Sequence, residues 1–170
     1  MIHLLWMLPV AAVLVLSVWI GIPHALRKRA ESRLRARCRD RGVIVLTYDD
    51  GPGAELTPRL LQLLDEHEAS ATFFLLGVRA EACPDVVDRL VSSGHEVATH
   101  SHSHRNDWKT DPFDRLKADR GGVVLLHDFD QQRSPERVEY VVELTRAVLE
   151  FADEQSMRVM SYAALERDAP

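Results

Sequence analysis

Short apolar runs alternate with helical segments along this 170-residue chain, and that order limits the possible folds more than any other feature of the sequence. Val43–Leu46, Ala71–Leu76 and His95–Thr99 are predicted to be strands, with an amphipathic helix between each pair. Val123–Leu126 and Arg158–Met160 are predicted to add two further strands. A repeated strand–helix–strand order requires right-handed crossovers, so we predict an α/β fold built on a parallel sheet of five strands.

The predicted helices carry recognisable start and stop signals. Thr57 is predicted to be the N-cap of the first, with Pro58 in its first turn. Pro84 opens the second helix and Gly94 is expected to end it. A long amphipathic helix is predicted over residues 134–154.

The first strand ends at two adjacent carboxylates, Asp49 and Asp50, which are followed by the turn residues Gly51 and Pro52. Because side chains alternate along a strand, the two aspartates are predicted to diverge. One could then hold a metal ion while the other faces a substrate. The alternative is an ordinary polar turn, since Asp-Gly pairs are common in turns.

A histidine cluster follows the third predicted strand. His100 and His104 are four residues apart, so on a helical turn they would project from one face, whereas His102 should point away. Two imidazoles and one carboxylate suit Zn²⁺ and leave a position open for water. The fourth predicted strand ends at His127 and Asp128. Active sites of parallel sheets lie at the carboxyl ends of the strands, so these groups are expected to lie close together.

Four short motifs resemble those of the polysaccharide deacetylases with a NodB-homology domain, which form carbohydrate esterase family 4. T-Y-D-D-G-P at Thr47–Pro52 is similar to the first motif of that family, and H-S-H-S-H at His100–His104 to its histidine motif. L-L-H at Leu125–His127 is similar to its late L-x-H motif. N-D-W at Asn106–Trp108 resembles its D-W motif over a shorter stretch.

The resemblance implies three catalytic residues. These are the general base Asp49, the general acid His127 and Asp107, which would tune the acid histidine.

The resemblance also implies metal ligands and substrate contacts. The metal ligands would be Asp50, His100 and His104. The substrate contacts would be Trp108 and Leu125.

The activity implied by the resemblance is metal-dependent hydrolytic deacetylation of an N-acetylated or O-acetylated carbohydrate. The implied cofactor is a divalent metal ion, Zn²⁺ in the first place, with Co²⁺ or another divalent ion as alternatives. The implied partner is an N-acetylated glycan or a lipid-linked sugar. The implied fold is a distorted (β/α) barrel of the NodB-homology type, incomplete here because only five strands are predicted.

One family motif has no counterpart in this sequence. An R-x-P-Y motif is expected between the histidine motif and D-W, but only Arg105 and Asn106 separate His104 from Asp107. We therefore predict an internal deletion, which could impair activity. The alternative function is that of a membrane-tethered pseudoenzyme or truncated relative that binds metal or glycan without turnover.

The N-terminal part of the chain has a different composition. Ile2–Ile22 contains no Asp, Glu, Lys or Arg and would measure about 30 Å as a helix, enough to span a bilayer. We predict one uncleaved transmembrane helix in residues 1–23 and a basic juxtamembrane helix in residues 24–41. The NodB-like domain is predicted over residues 42–166.

Charge is distributed unevenly along the chain. Eight basic residues follow the predicted anchor: Arg27, Lys28, Arg29, Arg33, Arg35, Arg37, Arg39 and Arg41. Such a segment fits an anionic membrane surface, and without an aromatic or motif signature it does not indicate nucleic-acid binding. Basic residues after an anchor favour a cytoplasmic domain, whereas the resemblance favours glycans outside the cell. We expect the domain to lie on the outer face.

Overall fold

The computed structural model of the chain describes residues 17–100, 122–128 and 135–168. The chain divides into two compact units between Arg37 and Cys38. In the N-terminal part, a π-helical segment at Ser17–Gly21 leads into helix α1, Ile22–Arg41, so the basic stretch is helical as predicted.

The predicted anchor, Ile2–Ile22, lies outside the described residues except for its last six positions. Within the described ranges, no helix combines the length and the apolar character needed to cross a membrane.

A parallel sheet of five strands forms the centre of the second unit. The strands are β1 Val43–Gly51, β2 Thr72–Leu75, β3 Glu96–Thr99, β4 Gly122–His127 and β5 Arg158–Met160. Their order is β3-β2-β1-β4, and β5 also pairs with β1. All four pairings are parallel, which confirms the predicted sheet. Closure of this sheet into a barrel stays a prediction.

Strand β1 is central because three other strands pair with it. Strand β4 runs beside residues 44–49 of β1, while β5 pairs with residues 43–45 and β2 with residues 47–51. Strands β5 and β2 therefore pair with successive parts of the same edge of β1. Every residue of β1 is buried, and its carboxyl end is paired with a strand on each edge.

Among the described residues of this unit, five helices accompany the sheet. They are α2 Leu56–Glu66, α3 Gly77–Ala82, α4 Pro84–Ser92, α5 Pro135–Glu154 and α6 Tyr162–Arg167. Helix α4 starts at Pro84 and stops before Gly94, whose φ of 79° suits glycine, as predicted. The prediction that Thr57 is the N-cap is wrong. Glu55 is the N-cap of α2, and the Thr57 hydroxyl instead donates a hydrogen bond to the buried Asp128 carboxyl.

The hydrophobic core lies between one face of the sheet and helices α2, α4 and α5. Ile44, Leu46 and Tyr48 supply this face of β1 and are fully buried. Burying each such apolar side chain contributes about 1.5–3 kcal/mol. The Tyr48 hydroxyl and the Thr145 hydroxyl of α5 are 3.0 Å apart and hydrogen-bonded inside the core. This bond fixes α5 against the strand that carries the two aspartates.

Candidate active site

Four ionisable side chains from three strand ends meet at the carboxyl edge of the sheet. Asp49 and Asp50 lie at the end of β1, His100 directly follows β3, and His127 ends β4. The Asp50 carboxylate lies between the two imidazoles: its Oδ1 is 3.7 Å from Nε2 of His100, and its Oδ2 is 3.9 Å from Nε2 of His127. The structure thus brings together four residues that sequence reasoning placed in the site.

The two aspartates converge, contrary to the prediction that they would diverge. Oδ2 of Asp49 is 3.9 Å from Nε2 of His100, the atom that Oδ1 of Asp50 also approaches. Regular alternation fails here because Asp50 has a left-handed backbone, with φ of 67°, and the register with β2 shifts between Asp49 and Gly51. Both carboxylates therefore face one imidazole.

The environment of Asp50 fits a divalent metal ion. Its Oδ1 is buried and has no hydrogen-bond partner among the described residues. A buried carboxylate oxygen without a hydrogen bond is costly, and a cation beside an imidazole nitrogen would satisfy it. Within the described ranges, no group of three or more His, Cys, Asp or Glu side chains is arranged to hold a metal ion. The third predicted ligand, His104, lies outside those ranges.

His100 is positioned by strand β2 and its end. Its backbone N–H donates to the Leu75 carbonyl at 2.9 Å, which continues the β2–β3 ladder by one residue. The Phe74 ring meets the imidazole edge-on, with ring centroids 6.4 Å apart. Packing and backbone pairing together direct the imidazole toward Asp49 and Asp50.

His127 and Leu125 occupy the same face of β4. His127 is paired in register with Asp49, and Leu125 with Thr47. Leu125 is 47% exposed, so its side chain is accessible beside the histidine. This placement is compatible with the substrate contact that the resemblance implies. Asp107 and Trp108 lie outside the described residues.

The sequence analysis placed Asp128 beside His127 at the end of the fourth strand but gave it no role, and the structure shows it fully buried. Its Oδ2 accepts a hydrogen bond from the Thr57 hydroxyl at 2.8 Å, and that hydroxyl in turn accepts from the Gly53 N–H at 2.8 Å. Its Oδ1 has no hydrogen-bond partner among the described residues. Burial raises the pKa of the Asp128 carboxyl to about 7.

The raised pKa of Asp128 predicts a specific dependence of stability on pH. The folded protein keeps this proton up to about pH 7, whereas the unfolded chain loses it near pH 4. The protonated carboxyl therefore makes its full contribution to the free energy of unfolding below pH 4. That contribution decreases by on the order of 4 kcal/mol as pH rises to 7.

Replacing Asp128 with asparagine removes this titration at nearly constant volume. Urea unfolding at several pH values between 4 and 8 should show the free energy of unfolding of the wild type falling relative to Asp128→Asn as pH rises. Parallel curves for the two proteins would show that Asp128 does not hold a proton in the folded state.

Comparison of the sequence with models of known protein families agrees with the arrangement of side chains at this edge of the sheet. The family model for polysaccharide deacetylase matches residues 36–169. The chain belongs to the polysaccharide deacetylase family. This match includes every described residue of the site.

Curated relatives of this chain are similar over part of their length. A peptidoglycan-N-acetylglucosamine deacetylase of Bacillus cereus is 44% identical over 104 residues, 59% of this chain and 37% of the relative. A chitooligosaccharide deacetylase of Sinorhizobium fredii is 46% identical over 61 residues, 36% of this chain and 28% of the relative. The matches thus span well under half of each relative.

Solved structures share the fold. The peptidoglycan deacetylase PdaC from Bacillus subtilis superposes with a TM-score of 0.56 at 22% identity, over 76% of this chain and 92% of that one. A CE4 family pseudoenzyme from Bacillus anthracis superposes with a TM-score of 0.58 at 16% identity, over 75% of this chain and 66% of that one. The fold is shared by a deacetylase and a pseudoenzyme, so it does not by itself assign activity.

Proposed function

We propose that this chain removes acetyl groups hydrolytically from an N-acetylated glycan in a metal-dependent reaction. The observation that carries the proposal is the convergence of Asp49, Asp50, His100 and His127 at one strand edge, where a buried oxygen of Asp50 has no hydrogen-bond partner among the described residues. Relatives named as deacetylases of peptidoglycan and of chitooligosaccharide support a glycan built from N-acetylated sugars.

Asp50 and His100, together with His104, would hold the metal ion, for which Zn²⁺ and then Co²⁺ are the proposed species. Carboxylate and imidazole are suitable ligands for both ions. When bound, such an ion supplies Lewis acidity, which lowers the pKa of water and polarises an acetyl carbonyl.

Asp49 and His127 would carry the proton transfers. Asp49 acts as the base that removes a proton from the attacking water, and His127 delivers a proton to the leaving amine. Their Cα atoms are paired in register on adjacent strands, so a substrate bound over this edge would meet both groups. Asp107 would tune His127 as the acid, and Trp108 and Leu125 would contact the sugar.

One sequence observation favours the alternative, a pseudoenzyme that binds metal or glycan without turnover. The R-x-P-Y motif has no counterpart between His104 and Asp107, where only Arg105 and Asn106 stand. The internal deletion that this implies stays a prediction.

Acetate release and metal content test the proposal together. The full chain with Zn²⁺ or Co²⁺ is expected to release acetate from an N-acetylated chito-oligosaccharide. His100→Ala and His104→Ala should lower divalent-metal affinity by roughly 10-fold or more, because each removes a ligand, whereas the matched control His102→Ala should not.

Two outcomes would count against this assignment. Equal metal affinity in all three histidine variants would exclude the proposed ligands. Metal binding by the wild type without any acetate release would favour the pseudoenzyme.

We further propose that an anchor within Ile2–Ile22 holds the domain at the outer face of the membrane. The support is the uncharged composition of that stretch and the exposed basic side chains of α1. A reporter that works only outside the cytoplasm, fused after Pro170, is expected to be active and to stay in carbonate-washed membranes. A control chain lacking residues 1–37 should leave the membrane fraction. Activity only from a cytoplasmic reporter would place the domain inside and require a lipid-linked sugar there as substrate.

A further inference from the structure

Three consecutive carbonyl groups at the end of β1 are each held by a different donor. The Asp49 carbonyl accepts from the Asp128 N–H at 3.1 Å, and the Gly51 carbonyl accepts from the Leu76 N–H at 2.8 Å. Between them, the Asp50 carbonyl accepts from Nη1 of Arg79 at 2.8 Å. Arg79 is therefore the side-chain member of this set, and it supplies a charged donor.

The conformation of Asp50 explains why such a donor matters. A non-glycine residue with φ of 67° is uncommon, because its backbone conformation is strained. The same conformation turns the Asp50 carboxylate toward His100 and His127. A regular strand would instead place Asp49 and Asp50 on opposite faces of the sheet. The position of the carboxylate thus depends on what keeps this backbone in place.

Arg79 is well placed to act on this turn because it belongs to the segment that also binds Gly51. Helix α3 begins at Gly77, directly after Leu76, and the Arg79 N–H donates to the Leu76 carbonyl at 3.0 Å. Two donors from one short segment therefore bind successive carbonyls of β1: the Leu76 N–H binds that of Gly51, and the Arg79 guanidinium binds that of Asp50. Hydrogen bonds from charged donors are stronger than neutral ones, so Arg79 contributes more than either backbone donor.

We propose that Arg79 is a positioning residue, which fixes the left-handed backbone of Asp50 and thereby sets the place of its carboxylate between His100 and His127. Its effect on metal affinity rests on the proposed function, whereas its effect on the backbone does not. The two effects can therefore be measured separately.

Hydrogen exchange tests the backbone effect without any metal. In the metal-free full chain, Arg79→Met should accelerate exchange of the Leu76 and Asp128 amides by roughly 10-fold, as expected for a lost charged hydrogen bond. The matched control is Arg59→Met, which removes an arginine that bonds Glu139 at 2.8 Å on an exposed surface. Exchange of the same two amides at the wild-type rate in Arg79→Met would overturn the proposal.

Titration with Co²⁺, followed by its visible absorption, tests the effect on the ligand. Arg79→Met should weaken Co²⁺ binding by roughly 10–100-fold, as for other residues that orient metal ligands. Arg79→Lys, which keeps the charge, should recover part of that loss, and Arg59→Met should bind like the wild type. Wild-type affinity and absorption in Arg79→Met would overturn the proposal.

The two measurements separate this inference from the proposed function. A wild type that binds no Co²⁺ would contradict the proposed metal site, and the exchange rates would then decide the role of Arg79. If Arg79→Met shows no cooperative melting transition, Arg79→Lys provides the test. It should fold, exchange the Leu76 amide faster than the wild type and bind Co²⁺ at least about 3-fold more weakly, because one ammonium reaches the carbonyl less well than a guanidinium. Values equal to the wild type would overturn the proposal.

Discussion

Replacement of Asp49 with asparagine is expected to lower the rate of acetate release by roughly 10²–10⁴-fold, the usual contribution of a general base. Asparagine has nearly the same shape but cannot accept the proton of the attacking water. The buried position of Asp49 and its pairing in register with His127 should be preserved. The measurement is kcat on an N-acetylated chito-oligosaccharide at saturating metal, with metal content determined on the same sample.

Asp50→Asn is the matched control, because the two aspartates are adjacent and the change is the same. Asparagine tolerates the left-handed backbone that Asp50 adopts, so this variant should keep the fold while losing metal affinity. Asp49→Asn should therefore lose turnover with metal bound, whereas Asp50→Asn should lose the metal itself. Loss of metal in both variants, or in Asp49→Asn alone, would show that the assigned roles are wrong.

The sheet was predictable from the sequence because its signals are local. All five predicted strands exist and pair in parallel, as expected from the predicted strand–helix–strand order. The meeting of Asp50, His100 and His127 also followed, since each ends a parallel strand and such ends share one edge. These conclusions needed only the spacing of apolar residues and the topology that this spacing implies.

The direction of the Asp50 side chain was not predictable in this way. The period-two rule predicts opposite faces for Asp49 and Asp50, and it fails because one residue adopts a left-handed backbone. The Asp50 carbonyl is bound by Arg79 and the next carbonyl, that of Gly51, by Leu76, and both donors come from a different part of the chain. No local pattern around Asp50 contains this information.

Thr57 and Asp128 show the same limitation. A threonine before a proline and an amphipathic run is typical of an N-cap, yet the Thr57 hydroxyl donates to Asp128, which lies 71 residues away in sequence. A tertiary contact has overridden a local preference. The pair also explains how a carboxyl can be buried beside the site, since Thr57 satisfies one of its oxygens.

Gly51→Ala is expected to destabilise the protein by about 3 kcal/mol, as severe overpacking of a core does. A Cβ added at Gly51 would overlap both carboxyl oxygens of Asp128. That carboxyl cannot move away freely, because it is fully buried and bound by Thr57. The substitution should also displace the neighbouring Asp50 and lower acetate release. Urea unfolding and kcat on the purified full chain measure the two effects.

The cause of this loss can be isolated with two further variants. Gly94→Ala is the matched glycine control: its φ of 79° imposes strain of about 1 kcal/mol, but its Cβ would have no described atom within 4 Å. In the double variant Gly51→Ala/Asp128→Ala the overlapping carboxyl is gone. The losses of stability caused by the two single substitutions should therefore not add, and the double variant should differ from their sum by about 1–3 kcal/mol. Strict additivity would mean that the Gly51 backbone, and not its contact with Asp128, limits the residue at this position. Under the steric explanation, the methyl group of the new alanine instead occupies space vacated by the carboxyl, and the end of β1 keeps its fold.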